Sequence, residues 1–173
     1  MNKPETSQAD LPFEAVLFQL TDDPRQIYAV EISQVYEVFT NQPISRVPAA
    51  AIYFKGICSL RGAVLPVIDL HYLAHQSLAT EFGNLLVVQD QEGVLAMGIH
   101  SVKGIVRAKH SQLVPANRVF GANGALLSAV LKQDNGTLAS VIDMPAAIAM
   151  ARSGLIEKTN WDCAPANAEA QPA

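Results

Sequence analysis

"FKGICSLRGAVLPVIDL", residues 54–70, decides how the chain folds. Only Arg61 and Gly62 separate "GICSL" (56–60) from "AVLPVI" (63–68), and each run has the usual strand length of about 5–6 residues. The spacing predicts a tight β-hairpin with Arg61 at its tip. Alternation puts Cys58 and Leu60 on one face and Ile57 and Ser59 on the other. Arginine is an expensive choice here: a position that needs φ > 0 costs an ordinary L-residue on the order of 1 kcal/mol, and Asn-Gly or Asp-Gly makes the same turn more cheaply. Two readings stand: a solubilising charge on a turn, or a guanidinium held out for recognition. Arginine is enriched among the residues that dominate protein interfaces.

Working outward, Val-Ile-Asp at 67–69 returns at 141–143. Asp69 precedes "LHYLAH" and Asp143 precedes "MPAAIAMA", so both read as helix N-caps, worth ~1 kcal/mol each, with Pro145 in a first turn. Capping accounts for the repeated carboxylate better than a catalytic pair does. "IYAVEISQVYEV" (27–38) also lies over "VLAMGIHSVKGI" (94–105), matching Ile32 with Ile99 and Val35 with Val102. The chain therefore repeats a small β unit.

Other strand signals are "FEAVLFQL" (13–20), "IYAVEI" (27–32) and the strand–turn–strand "NLLVVQDQEGVLAMGI" (84–99), which "SVKGIVR" continues. In "SQVYEVF", Val35 and Val38 fit either a short helical turn or another strand. "ALLSAVL" and "TLASVI" flank "KQDNG", a second hairpin with Asn135-Gly136 in its turn. Residues 110–124 read as loop. Many short strands between Gly and Pro turns predict an all-β fold. Two related subdomains, about 13–82 and 83–152, should pack together, because a unit of about 70 residues is marginal alone. Residues 1–12 read as a polar, disordered leader. Residues 153–173 read as a disordered or weakly ordered tail.

Half of the 173 residues are hydrophobic, and 12 Lys and Arg stand against 16 Asp and Glu, a formal charge of −4. That balance argues against nucleic-acid binding, which is driven by phosphate neutralisation. The N-terminus lacks an apolar signal region, and no window approaches the ~18 apolar residues of a membrane span. Cys58 and Cys163 are far apart, so a disulfide framework is not expected and a reducing cytoplasm is the expected compartment. Asn135-Gly-Thr is a turn rather than a glycosylation site. His71 and His75 are spaced to share a helix face, and with Asp69 they would be the ligands of a small metal-dependent enzyme. The segment has no HExxH and no third ligand at the right spacing, so it reads as a solvated helix face. His100 and His110 have no Cys or acidic partners at ligand spacing. There is no phosphate-binding glycine motif and no Ser/His/Asp set, so neither an active site, a metal nor a cofactor is expected.

The opening stretch resembles the signature of CheW-like chemotaxis coupling proteins, with Gly56, Leu60, Arg61, Gly62, Pro66, Asp69 and Leu70 in order and spacing. The likeness runs from about Phe13 to Ala149. It implies two packed SH3-like, five-stranded β-barrels with short helices. It also implies a non-enzymatic adaptor in the cytoplasm that joins the cytoplasmic tip of methyl-accepting chemoreceptors to the regulatory domain of the histidine kinase CheA. Other CheW-like domains are a further class of partner, and a pathway controlling pilus motility is the alternative setting. By resemblance, Arg61 and Val35 contact the receptor and Glu37 and Val38 meet the kinase. Gly56, Gly62, Pro66, Asp69 and Asp143 are structural. A groove between the barrels, with Arg61 at its lip, is expected to receive a receptor helix. Ser59 replaces the family's usual Asn, His100 its usual Asp, and "ALLSAV" lacks its Tyr-Leu-x-Gly, so the first unit matches better than the second.

Overall fold

The computed structural model describes residues 8–40, 42–48, 51–79, 81–120 and 126–156. Its first half comprises β1 (Pro12–Gln19), β2 (Tyr28–Glu31), β3 (Val35–Thr40), β4 (Phe54–Leu60), β5 (Ala63–Asp69) and α1 (Leu70–His75). Its second half comprises β6 (Asn84–Asp90), β7 (Gly93–Ile99), β8 (Ser101–Lys109), β9 (Leu113–Pro115), α2 (Ala116–Phe120), β10 (Leu127–Lys132), β11 (Leu138–Ile142) and α3 (Met144–Ile156).

The strands form two sheets, one in the order β8-β1-β2-β11-β10-β9 and the other β3-β6-β7-β5-β4. We call them sheet A and sheet B. The sheets do not divide the chain at residues 82 and 83, as expected from the repeat. Each takes two consecutive strands from one half, β1 and β2 for sheet A and β6 and β7 for sheet B, and the rest from the other. The chain changes sheets at the 3-10 turn Ile32–Gln34 and again at His100, between β7 and β8. Period-2 alternation reports which residues are buried, not which strand lies alongside, and so the exchange escaped it.

The duplication itself survives in detail. If β1, β2, β3, β4 and β5 are matched with β6, β7, β8, β10 and β11, the two strand orders coincide, with β9 the extra strand of sheet A. The parallel pairs correspond as well: Val67 lies beside Ala96 in one sheet, Val141 beside Ala29 in the other. Even the ladder irregularities recur, at Phe54/Gly56 and at Leu127/Ala129.

Both sheets curl. In sheet A, Phe13, Ala15, Ala129, Leu131 and Val141 form an interior that the edge strands join through Val106, Ala108 and Leu113. In sheet B, Cys58, Leu65, Val67, Leu85 and Val87 do the same, with Phe39 and Leu60 from its edges. The opposite faces meet in a shared core of Phe18, Val30, Ile68, Leu86 and Met97, capped by Leu70 and Leu73 of α1 and Met144, Ala147 and Ile148 of α3. Burying each large side chain contributes about 1.5–3 kcal/mol, so most of the stability sits in this central layer, where neither half is complete alone.

Three more expectations need correction. Within the loop-like 110–124 lie a 3-10 turn (His110–Gln112), β9 and α2, while 121–124 fall outside the described residues. The expected tail begins too early, since α3 continues to Ile156. The expected leader contains a 3-10 turn at Gln8–Asp10 and gives way to β1 at Pro12. The remaining leader and tail residues, Cys163 among them, lie outside the described set.

Candidate docking surface

Four residues singled out in sequence, Val35, Glu37, Val38 and Arg61, come together on sheet B. β3 is an edge strand paired only to β6, with a ladder irregularity between Val35 and Glu37. Its outward positions are Tyr36, 65% exposed, and Val38, 36% exposed. Val35 and Glu37 are half-buried. Tyr36 is the side chain that sequence reasoning passed over. The alternation in "YEVF" places Tyr36 and Val38 on one face and Glu37 and Phe39 on the other.

Arg61 occupies the two-residue turn between β4 and β5 at φ 48°, followed by Gly62 at φ 85°. These are the left-handed values that the tight hairpin demands. Its Nη2 donates to Glu37 Oε1 at 2.6 Å, yet the arginine side chain is 73% exposed. β3 and β4 are the two edges of sheet B, so this ion pair bridges the seam where the sheet curls back on itself. In solvent such a pair contributes about 0–1 kcal/mol, too little to explain the left-handed backbone as a stability device. Val64, 47% exposed, adds apolar surface on the same hairpin.

Gly56 and Asp69 hold that hairpin in place. Gly56 has φ 140°, and a Cβ there would run into the backbone carbonyl of Ser45. Ser45 and Ile57 form a bridge with 2.8 and 2.9 Å backbone hydrogen bonds, so only glycine permits the approach. Pro66 sits one residue before β5 begins to pair with β7 at Val67, where a missing N–H is tolerated. Asp69 is fully buried. Its carboxylate accepts from Tyr72 N–H at 3.0 Å and Ala79 N–H at 2.9 Å, and Lys55 Nζ lies 3.2 Å away. Asp143 caps α3 with one such bond, from Ala146 N–H at 3.0 Å.

Arg61 is not among the residues lining the cleft beside Gln34. This cleft measures about 380 Å³ and lies between Gln34 and the β6–β7 turn on one side and Met144, Pro145, Ile148 and Ala149 of α3 on the other. Arg152 guards one end, donating to Asp90 at 3.0 and 2.6 Å and to the Gly93 carbonyl at 3.2 Å. Gln34 directly precedes Val35, so β3 starts beside the cleft and carries Glu37 of the ion pair further along. Neither Arg152 nor Asp90 belongs to any sequence motif, and their pairing spans β6 and α3, which a one-dimensional pattern does not relate.

His71 and His75 each make a hydrogen bond, one within its own segment and one to β2. His71 donates through Nδ1 to the Ser77 carbonyl at 2.8 Å, and His75 Nε2 lies 2.6 Å from the Tyr28 hydroxyl. Partial burial of the ring, then the neighbouring His71, hold the His75 pKa below the usual histidine value, although much of the residue reaches solvent. Among the described residues no group of three or more His, Cys, Asp or Glu is placed to hold a metal ion, and no helix is long and apolar enough to cross a membrane.

A family model described as the CheW-like domain matches residues 14–152. The chain belongs to the CheW-like domain family. A Chemotaxis protein CheW of Treponema pallidum (strain Nichols) is 24% identical over 136 residues, covering 75% of this chain and 78% of that protein. Another, of Klebsiella aerogenes, is 24% identical over 105 residues, 60% of this chain and 61% of its own length. In three dimensions the CheW-like chain resembles the scaffolding protein TtCheW from Thermoanaerobacter tengcongensis. The TM-score is 0.66 at 21% identity, over 77% of this chain and 90% of that one. The CheW-like assignment makes this chain a scaffold or adaptor rather than an enzyme.

Proposed function

We propose that this CheW-like chain works in the cytoplasm, joining the cytoplasmic tip of a methyl-accepting chemoreceptor to the regulatory domain of a CheA-type histidine kinase. The observation that carries this reading is an exposed arginine in a left-handed turn, ion-paired to Glu37 on an edge strand that also exposes Tyr36 and Val38. The kinase domain docks on Tyr36 and Val38, with Glu37 at the rim. The receptor contacts Arg61 and Val35, with an amphipathic helix lying along the neighbouring cleft over Ile148 and Ala149. Apolar burial supplies affinity, and the charged pair sets register and partner choice. Because one ion pair joins a receptor-side residue to a kinase-side residue, occupation of one side changes the charge presented to the other.

Val38→Asp tests the assignment. It should lower capture of the kinase regulatory domain more than tenfold while leaving capture of a receptor tip fragment within about twofold, a difference of about 1 kcal/mol or more between the two partners. Equal loss of both partners with an unchanged melting temperature would refute the division of the surface.

A further inference from the structure

Each half of the chain is an incomplete fold, completed by the other. The first half gives β1 and β2 to sheet A and β3, β4 and β5 to sheet B; the second gives β6 and β7 to sheet B and the rest of its strands to sheet A. Four ladders therefore run between halves: β1 with β8, β2 with β11, β3 with β6, and β5 with β7. The central core is divided in the same way, with Phe18, Val30 and Ile68 from one half packed on Leu86, Met97 and Met144 from the other. Tyr53, of the first half, donates its hydroxyl toward the Met150 and Ala151 carbonyls of α3 at 3.4 and 3.3 Å.

Only the stretch 76–83 connects the halves covalently. It begins at Gln76 in the left-handed region, φ 56°, and its residues Gln76, Ser77 and Leu78 are exposed. Among its described residues the hydrogen bonds to the body include the Gln76 N–H to the Tyr72 carbonyl, the Ala79 N–H to Asp69, His71 to the Ser77 carbonyl, and the Gly83 N–H to the Ile99 carbonyl, and Phe82 packs against the sheet B interior. Extended, eight residues reach roughly 26 Å. Every ladder and core contact between halves would be regenerated if the two halves came from different molecules, and only this linker would change conformation.

We infer that the partner this architecture accommodates is a second copy of the chain: opening at 76–83 lets two molecules exchange halves and form a closed, two-fold strand-exchanged dimer. Exchange of identical elements is a low-cost route to dimers because the interface already exists inside the monomer. The closed monomer is favoured at ordinary concentration, since a short linker gives an effective concentration of order millimolar. Exchange becomes competitive when chains fold near that concentration, or when the linker is too short to turn back. This inference concerns assembly and is independent of the docking reading above.

The test uses full-length chains. Thr40 and Asn84 are cross-strand partners between β3 and β6, one in each half. Chains carrying Thr40→Cys and chains carrying Asn84→Cys, both with Cys58→Ala and Cys163→Ser, are mixed unfolded, refolded together at about 1 mM and exposed to a mild oxidant. A dimer fraction joined by a disulfide between the two kinds of chain is the expected result. Absence of a dimer, or a dimer that never cross-links, would overturn the inference. Independently, deleting Ser77–Glu81 should double the solution mass, giving a dimer that separates only on unfolding. A folded monomer carrying that deletion would equally overturn it. Should the deletion variant not fold, the cross-linking result decides.

Discussion

Sheets A and B are two versions of one design, and beyond the extra strand β9 they differ at the hairpin of their last two matched strands. In sheet A, β10 and β11 are joined by the residues between Lys132 and Leu138, with Gly136 at φ 83° and Asn135 accepting from the Thr137 N–H. That loop has the composition a turn calls for. A neutral amide, Gln112, donates to the Lys132 carbonyl and to Asp134 of that loop and accepts from the Lys109 N–H at the end of β8. In sheet B the corresponding loop is cut to Arg61-Gly62, an arginine takes the left-handed position, and an ion pair ties the seam. One chain therefore contains both the economical solution and the strained one. Both sheets expose apolar side chains, Tyr36, Val38 and Val64 on sheet B and Ile105, Val114 and Leu138 on sheet A, so the argument that Arg61 serves an encounter rests on its left-handed backbone and solvent-exposed ion pair.

The comparison can be broken at specific positions. Gly56 of sheet B and Ala129 of sheet A hold the same place in the repeat. Because the Ser45 carbonyl crowds Gly56, Gly56→Ala should destabilise by about 3 kcal/mol. Thermal melts would show this as a drop near 6–12 °C, at about 2–4 °C per kcal/mol. Ala129→Gly should cost only about 1 kcal/mol. Equal effects would mean the sheets are not distinguished by this approach. The two capping aspartates come next. Asp69→Ala removes a buried carboxylate with two N–H donors and Lys55 beside it, and should cost about 2–4 kcal/mol. Asp143→Ala loses one cap bond and should cost about 1 kcal/mol; chemical denaturation of both variants ranks them.

Smaller still is a pH effect centred on His75 of α1 and its contact with Tyr28. His75 is held below its ordinary pKa in the folded chain, so below about pH 6.5 the unfolded chain takes up a proton that the folded chain resists. Stability should therefore be complete above that pH and decline as pH falls through the window beneath it. His75→Gln should flatten this part of the denaturation-versus-pH curve; an unchanged slope would assign it elsewhere. Smallest is Arg61→Ala, expected to change stability by less than about 1 kcal/mol, since the pair is largely in solvent.

How much of this was legible in the sequence follows from which physics writes a local pattern. The hairpin at 54–70, the left-handed arginine and the repeat of Asp69 at Asp143 depend on neighbours a few residues apart, and turn chemistry and capping are visible at that range. The exchange of strands between sheets was not legible. Ile32 and Ile99 mark the crossings, but their apolar character is the same whichever sheet lies ahead. The Arg61–Glu37 contact was hidden for a related reason: both residues were singled out, one for each partner, yet nothing in their spacing reveals that curling of sheet B brings its two edges together. The Arg152–Asp90 pairing beside the cleft left no trace for the same cause.

Exchanging the charges of the seam separates a docking role for Arg61 from a structural one. Arg61→Glu combined with Glu37→Arg keeps a salt link in place while reversing the charges offered to partners. Binding of the receptor tip and of the kinase regulatory domain would be measured beside the melting temperature. We expect the double variant to melt within about 3 °C of the parent, under roughly 1 kcal/mol, and to bind the receptor tip at least tenfold more weakly. Recovery of parental receptor binding in the double variant, after its loss in each single variant, would show that the pair matters only as a clasp and would contradict the account.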